Sequence, residues 1–299
     1  MSDFGRLLTA MVTPFNAEFE IDYEKTEELI EHLIKTGTDT IVVGGSTGEP
    51  ASLSMDEKLR LFKFAVERAQ GRVKIIAGTG TNDTRSSIRL TRKAQQTGID
   101  GVLLVAPYYN KPSQEGLYQH FKSIAANTDL PVVLYNIPGR SAVNISTETL
   151  LRLSRIENIT AIKEASGDLS KVGYLIENVP PGFKIYSGDD SLALPILSIG
   201  GYGVISVASH IAGSEIKGLI TAYLKGRVKE AAETHRQLLP IFEGLFIAAN
   251  PSPVKFALSE HGINVGTVRL PLVSLTEGEA KHITEIMGQL KEVGRGISR

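Results

Sequence analysis

Between Asn158 and Asp168 the chain reads NITAIKEASGD. The run before the glycine has the apolar character of a buried β-strand, yet Lys163 stands inside it, between Ile162 and Glu164. An ammonium held among apolar neighbours loses hydration, and its pKa falls. The neutral amine can attack a ketone to form a Schiff base, whose iminium is an electron sink. Other groups suited to such chemistry follow apolar runs elsewhere. GGSTGE offers the hydroxyls of Ser46 and Thr47 on a backbone that a ligand can approach closely. PYYNKP carries Tyr108 and Tyr109, YNIPGR carries Tyr135 and Arg140, SGDD contains Gly188, and GVISVAS contains Ile205 and Ser206. A tyrosine can shuttle protons. An arginine can hold a carboxylate through two parallel hydrogen bonds, and amides of a glycine-containing loop can hold a second one. The set suits carbonyl chemistry on a carboxylated substrate.

Several other chemistries are excluded. Cysteine is absent, which removes disulfides, thiolate catalysis and Cys-ligated zinc. The six histidines are scattered, with no H-x-H or H-E-x-x-H spacing. GGSTGE lacks the lysine of a Walker loop, and no Ser-His-Asp set is apparent at the ends of the apolar runs. The formal net charge of -1 suggests neither nucleic acid nor an anionic membrane as partner. The N-terminus lacks a basic stretch followed by a long apolar one, so no signal peptide is expected and the location expected is cytoplasmic. Residues 191 to 214 carry no Asp, Glu, Lys or Arg, but Pro195, Gly200, Gly201, Gly203 and His210 interrupt them. A short helix, a glycine turn and a buried strand explain that segment better than a membrane span.

Each candidate also has an ordinary reading when taken alone. A strand lysine often snorkels at an edge or pairs with a carboxylate, and Glu164 is adjacent. Alternation across a strand nevertheless sends Lys163 and Glu164 to opposite faces. GGSTGE alone is a tight turn, Tyr108 and Tyr109 are packing residues, and Arg140 is a surface charge. NPSPVK, from Asn250 to Lys255, reads as a rigid turn that starts a helix. The chemical reading gains weight because the candidates recur at the ends of successive strands.

The elements that must place these residues are legible in the pattern. Eight near-continuous apolar runs begin at Leu7, Thr40, Lys74, Gly101, Pro131, Ile159, Lys184 and Gly203. Such runs fit parallel strands covered on both faces. Amphipathic stretches lie between them. One ends at Gly37 and another at Gly71, both suited to a helix C-terminus, and Ser54 with Glu57 forms a capping-box pattern. This alternation over 299 residues predicts a (β/α)8 TIM barrel with a C-terminal helical appendage. The barrel would span residues 1–225 and the helical region 226–299. A doubly wound open sheet is the alternative, but the first strand is not followed by G-x-G-x-x-G.

GGSTGE, PYYNKPSQEGLYQHF, YNIPGRS, IKEASGD and NPSPVK occur here in an order and spacing that resembles the dihydrodipicolinate synthase family. That family lies within the pyruvate-dependent class I aldolase and lyase superfamily, which includes N-acetylneuraminate lyase. The resemblance runs from TAMVTPF to the helical appendage. It implies condensation of pyruvate with L-aspartate 4-semialdehyde to give 4-hydroxy-tetrahydrodipicolinate, on the route to diaminopimelate and lysine. Lys163 would form the Schiff base, with no separate cofactor. Tyr135, Thr47 and Tyr109 would relay protons, Tyr109 being lent by a neighbouring subunit. The backbone of Ser46 and Thr47 would hold the pyruvate carboxylate, Arg140 that of the second substrate, and Gly188 and Ile205 would line the site through their backbones. The implied assembly is a homo-oligomer, a dimer of dimers.

Two departures from the family pattern stand out. Ser46 replaces the first of two usual threonines but keeps a hydroxyl and an amide. At the positions where feedback-sensitive members bind lysine, this chain has Met55, Lys58 and Ser86 in place of two histidines and a glutamate, while Asn82 and Tyr108 match. A cation at Lys58 and the missing carboxylate at Ser86 disfavour a ligand with a cationic side chain, so weak or absent inhibition by L-lysine is expected. Two other functions remain open at this level: a pyruvate lyase for a sugar acid such as N-acetylneuraminate or a 2-keto-3-deoxy acid, and a non-catalytic keto-acid-binding barrel.

Overall fold

The structure, a computed structural model, describes residues 3–297. Its strands are β1 (Leu7–Ala10), β2 (Thr40–Val43), β3 (Lys74–Gly78), β4 (Gly101–Val105), β5 (Val132–Asn136), β6 (Ile159–Glu164), β7 (Lys184–Ser187) and β8 (Gly203–Ser206). Each pairs in parallel with the next, and β8 closes on β1 through Leu7↔Val204 and Leu8↔Ile205. The eight apolar runs are therefore the eight staves of a closed barrel, which leaves no open sheet edge. The doubly wound alternative is set aside by that closure.

Side-chain alternation splits the core into two shells. Leu8, Val42, Ile76, Leu103, Val133 and Ala161 are among the residues that pack inside the barrel. Leu7, Ile41, Val43, Leu104, Leu134 and Ile162 face the surrounding helices. Helix entry follows the expected chemistry. Ser54 Oγ accepts from the Glu57 amide at 3.2 Å, and the Glu57 carboxylate accepts from the Ser54 amide at 2.8 Å. Gly37 and Gly71 end their helices with φ of +94° and +72°, a region that glycine enters without steric penalty.

The charge-free segment around Pro195 resolves into a short helix, Ala193–Ser198, a turn through Gly200 and Gly201, and strand β8. Among the described residues no helix is long and apolar enough to cross a membrane. Helix Ser209–Leu224 follows β8, and the chain turns at Gly226 into helices Val228–Gly244, Ser252–Glu260 and Glu277–Ile297. Their apolar faces, through Leu238, Phe242, Val254 and Ile283, join the same buried cluster as the barrel's outer shell.

Candidate active site

Lys163 is the fifth residue of β6, in register with Tyr135 on β5 and Tyr186 on β7. It shares the inward parity of Ala161, so its side chain enters the barrel and is only 4% exposed. Its Nζ lies 4.5 Å from the centre of the Tyr135 ring. Burial lowers its pKa to about 8; Asp190 and Asp189 oppose the fall and Arg140 adds to it. Tyr135 is also buried, and its phenol is pushed up to about 12 by burial, against weaker effects of Arg140 and the Ser46 hydroxyl. The pair thus consists of an amine that deprotonates easily and a phenol that keeps its proton.

Glu164 does not partner Lys163. It points out of the barrel and forms a buried ion pair with Lys171 at 3.0 Å. Asn136 donates to Glu164 at 2.9 Å, and the Ser166 amide donates at 2.8 Å. Lys171 also donates to the Ile145 carbonyl, and the Ile145 amide donates to Asn136 Oδ1. This satisfied polar network anchors the segment after β5, where the short helix Pro138–Ser141 carries Arg140.

Gly188, just after β7, leaves the space that Lys163 occupies. A Cβ there would lie 3.0 Å from Lys163 Cγ, 3.1 Å from Cε and 2.7 Å from Ala165 Cβ. Ile205 on β8 is buried inside the barrel. Asp190 sits behind β8, its Oδ2 accepting from the amides of Val207 and Ala208, and burial raises its pKa.

After β2, Gly44 turns the chain with φ +67°, and Ser46–Gly48 form a single 3-10 turn. The amides of Gly48 and Glu49 bond within that turn, whereas Ser46 and Thr47 are its first residues, whose amides have no partner in it. Ser46, Tyr135, Arg140, Tyr108 and Asn250 are among the residues bordering a cavity of about 370 Å³. Lys163, Thr47, Gly188 and Ile205 are not on its wall; Lys163 reaches the ring of Tyr135, which is. Tyr109 stands apart, 88% exposed with φ +76°. Of the eight expected residues, Ser46, Tyr135 and Arg140 border the cavity, Lys163 lies beside Tyr135 and Gly188 beside Lys163, Ile205 shares the inner-barrel cluster with Tyr135, Thr47 is buried off the cavity wall, and Tyr109 is held outside.

Sequence reasoning missed the groups that brace the Ser46–Gly48 turn. Glu49, held at φ 54°, forms an ion pair with Lys255 at 2.7 Å in which both side chains are 2% exposed. Lys255 also donates to the Thr267 carbonyl at 2.7 Å, and burial lowers its pKa to about 8. The Arg269 amide donates to Glu49 at 2.9 Å, and the Arg269 guanidinium donates to Glu57 at 2.6 Å. On the other side, Asn250 Nδ2 donates to Thr47 Oγ1 at 2.9 Å. NPSPVK does start helix Ser252–Glu260, as expected. Its proline pattern announced the turn, but nothing local announced partners some 200 positions away.

The fold and this cluster define a barrel enzyme of the kind whose chemistry is assembled at the C-terminal ends of its strands. Within that class, the chain belongs to the Dihydrodipicolinate synthetase family, whose sequence profile matches residues 3–290. It is 53% identical to a 4-hydroxy-tetrahydrodipicolinate synthase of Bacillus subtilis (strain 168), over 96% of this chain and 100% of that one. A crystal structure of a dihydrodipicolinate synthase from Bacillus anthracis superposes with a TM-score of 0.95 at 51% identity, covering 96% of this chain and 99% of that one. A synthase from Cyanidioschyzon merolae with lysine bound superposes with a TM-score of 0.95 at 44% identity, covering 96% and 98%.

Proposed function

We propose that this chain condenses pyruvate with L-aspartate 4-semialdehyde to 4-hydroxy-tetrahydrodipicolinate, through a Schiff base on Lys163, on the route to diaminopimelate and lysine. The observation that carries the reading is Lys163 inside the barrel, its amine pKa lowered by burial and its Nζ against the Tyr135 ring. The neutral Nζ attacks the pyruvate ketone carbon, and the carbinolamine loses water to give an iminium. Loss of a methyl proton turns the iminium into an enamine. The enamine carbon bonds to the aldehyde carbon, and the aldehyde oxygen takes a proton. The substrate's own amine then attacks the iminium carbon, closes the ring and releases Lys163.

Tyr135, with its high pKa, supplies and recovers protons in these steps, together with Thr47 and Tyr109. The amides of Ser46 and Thr47 receive the pyruvate carboxylate, and Arg140 receives that of the aldehyde. Gly188 and Ile205 line the site through their backbones. No separate cofactor enters the scheme. The working unit in this reading is a cytoplasmic homo-oligomer, a dimer of dimers, in which each Tyr109 serves a neighbouring copy; its exposure on the isolated chain supports that role.

Incubation with pyruvate and borohydride, followed by intact and peptide masses, tests the reading. One reduced pyruvate adduct on Lys163 is expected, and a folded protein that forms none would refute it. A coupled assay then compares aspartate semialdehyde with N-acetylneuraminate. Turnover of the sugar acid alone would move the assignment to a related lyase.

A further inference from the structure

Tyr109 holds a backbone conformation from which its own chain gains no contact. Its φ is +76°, a region that residues with a side chain rarely enter. The Asn110 amide donates to the Tyr108 carbonyl at 3.0 Å, closing a three-residue turn with Tyr109 at its apex. A positive φ at the centre makes this the strained form of that turn. Lys111, two residues on, also has a positive φ, of 45°. The Tyr109 side chain so displayed is 88% exposed and makes no hydrogen bond or ring contact among the described residues. Strain that serves nothing within the chain points to a use outside it.

Such a turn persists only where its surroundings hold it. The brace here is Asn110, whose Nδ2 donates to the Asn82 carbonyl at 2.8 Å. A carbonyl can only accept, so the side-chain amide faces it nitrogen first. Asn82 is itself set in a tight frame. The Thr81 amide donates to Ser87 Oγ at 2.9 Å, and the Asp83 amide donates to Thr81 Oγ1 at 3.2 Å. The Asp83 carboxylate caps helix Thr84–Gln95 by accepting from the Ser86 amide at 2.6 Å. On the near side of the tip Tyr108 borders the cavity, and on the far side Ser113 caps helix Gln114–Ala125. The Asn110–Asn82 bond is the cross-strut between these supports.

We propose that Asn110 is a positioning residue: by tying the Tyr108–Lys111 tip to the Asn82 carbonyl, it sets the direction in which Tyr109 is presented to a neighbouring copy of the chain. This rests on the reading above, in which Tyr109 serves that copy's proton relay. Without the tie, Tyr109 relaxes towards an ordinary φ and its ring swings. The phenol oxygen lies at the end of that lever, so a modest backbone rotation carries it beyond the tolerance of a proton transfer.

Asn110→Ala removes the tie, and Asn110→Asp sets an acceptor against the Asn82 carbonyl. Each is expected to lower kcat by about tenfold or more, the scale of a disturbed proton transfer. In a Tyr109→Phe background neither should lower kcat further, since the hydroxyl they act through is gone. The decisive readout is exchange between copies. When Asn110→Ala and Lys163→Ala chains are co-expressed, an Asn110→Ala chain keeps its own Lys163 and borrows an intact tip from a Lys163→Ala neighbour. With random twofold pairing the mixture should reach about a quarter of the unsubstituted rate, against about a twentieth if each chain relied on its own tip.

Full kcat in both Asn110 variants would overturn the proposal. So would a loss that mixing does not restore, because Asn110 would then act within its own chain. A lowered thermal melt in both variants would also overturn it, by marking a structural role. The control is Tyr109→Phe mixed with Lys163→Ala. If Tyr109→Phe keeps full kcat, or is not rescued by mixing, the lending of Tyr109 is refuted and the proposal with it. Pyruvate trapping on Lys163 tests the Schiff base separately.

Discussion

The pH dependence of imine formation on Lys163 follows from its burial. An ordinary lysine amine has a pKa of 10.5, and this one is lowered to about 8, so its ammonium is destabilised by about 3 kcal/mol relative to water. At pH 7 roughly one amine in ten would be neutral, against roughly three in ten thousand at an ordinary pKa, a gain of about 300-fold. The neutral form is the nucleophile. The initial rate of pyruvate trapping by a hydride reductant should therefore rise about tenfold from pH 6 to pH 7 and level off above pH 8 to 9. The neighbouring charges set the direction of two variant effects. Arg140→Ala removes a cation that disfavours the ammonium, so its midpoint should move to higher pH. Asp190→Asn removes an anion that favours it, so its midpoint should move lower. Stability has the matching sign. Between pH 8 and 10.5 the unfolded chain binds more protons at this residue than the folded one, so its contribution to stability improves as pH rises. A trapping rate that keeps climbing in step with pH to about 10 would refute the argument. Both variants shifting the same way would refute its electrostatic part.

Gly188→Ala should leave the protein folded but lower turnover by about a hundredfold, since its Cβ must displace Lys163 or Ala165; trapping kinetics beside a thermal melt would show whether the loss lies at the amine. Lys255→Met strands the buried Glu49 carboxylate and should lower unfolding free energy by about 3 to 5 kcal/mol in urea titration. A change under about 1 kcal/mol would mean that the pair is not buried as described. L-lysine should inhibit weakly or not at all, because Lys58 borders the cavity and Ser86 offers no carboxylate. A steady-state titration reaching half-inhibition below about 1 mM, within the usual range of small-ligand sites, would contradict this.

Local patterns carried most of the fold. Apolar runs at Leu7, Thr40 and their successors became strands because parallel strands covered on both faces need no polar side. Ser54, Glu57, Gly37 and Gly71 marked helix ends through chemistry confined to a few neighbouring residues. Strand periodicity also separated Lys163 from Glu164, and the strand-end rule pointed to Ser46, Tyr135, Arg140 and Gly188 as candidates.

Tertiary structure decided the rest. The alternation along β6 does not say which face is the interior; closure of β8 on β1 does, and it makes Lys163 buried rather than ion-paired. Lys255 and Arg269 carry no signal as cations in a helix and a loop, because the carboxylates that hold them are Glu49 and Glu57, more than 200 positions away. Asn250 looked like the start of a turn until the helical region folded back onto the barrel mouth and set its amide on Thr47. Propensity and capping are local free energies, readable in a short window of sequence. Desolvation, ion pairing and the direction of a hydrogen bond depend on what the whole chain brings alongside.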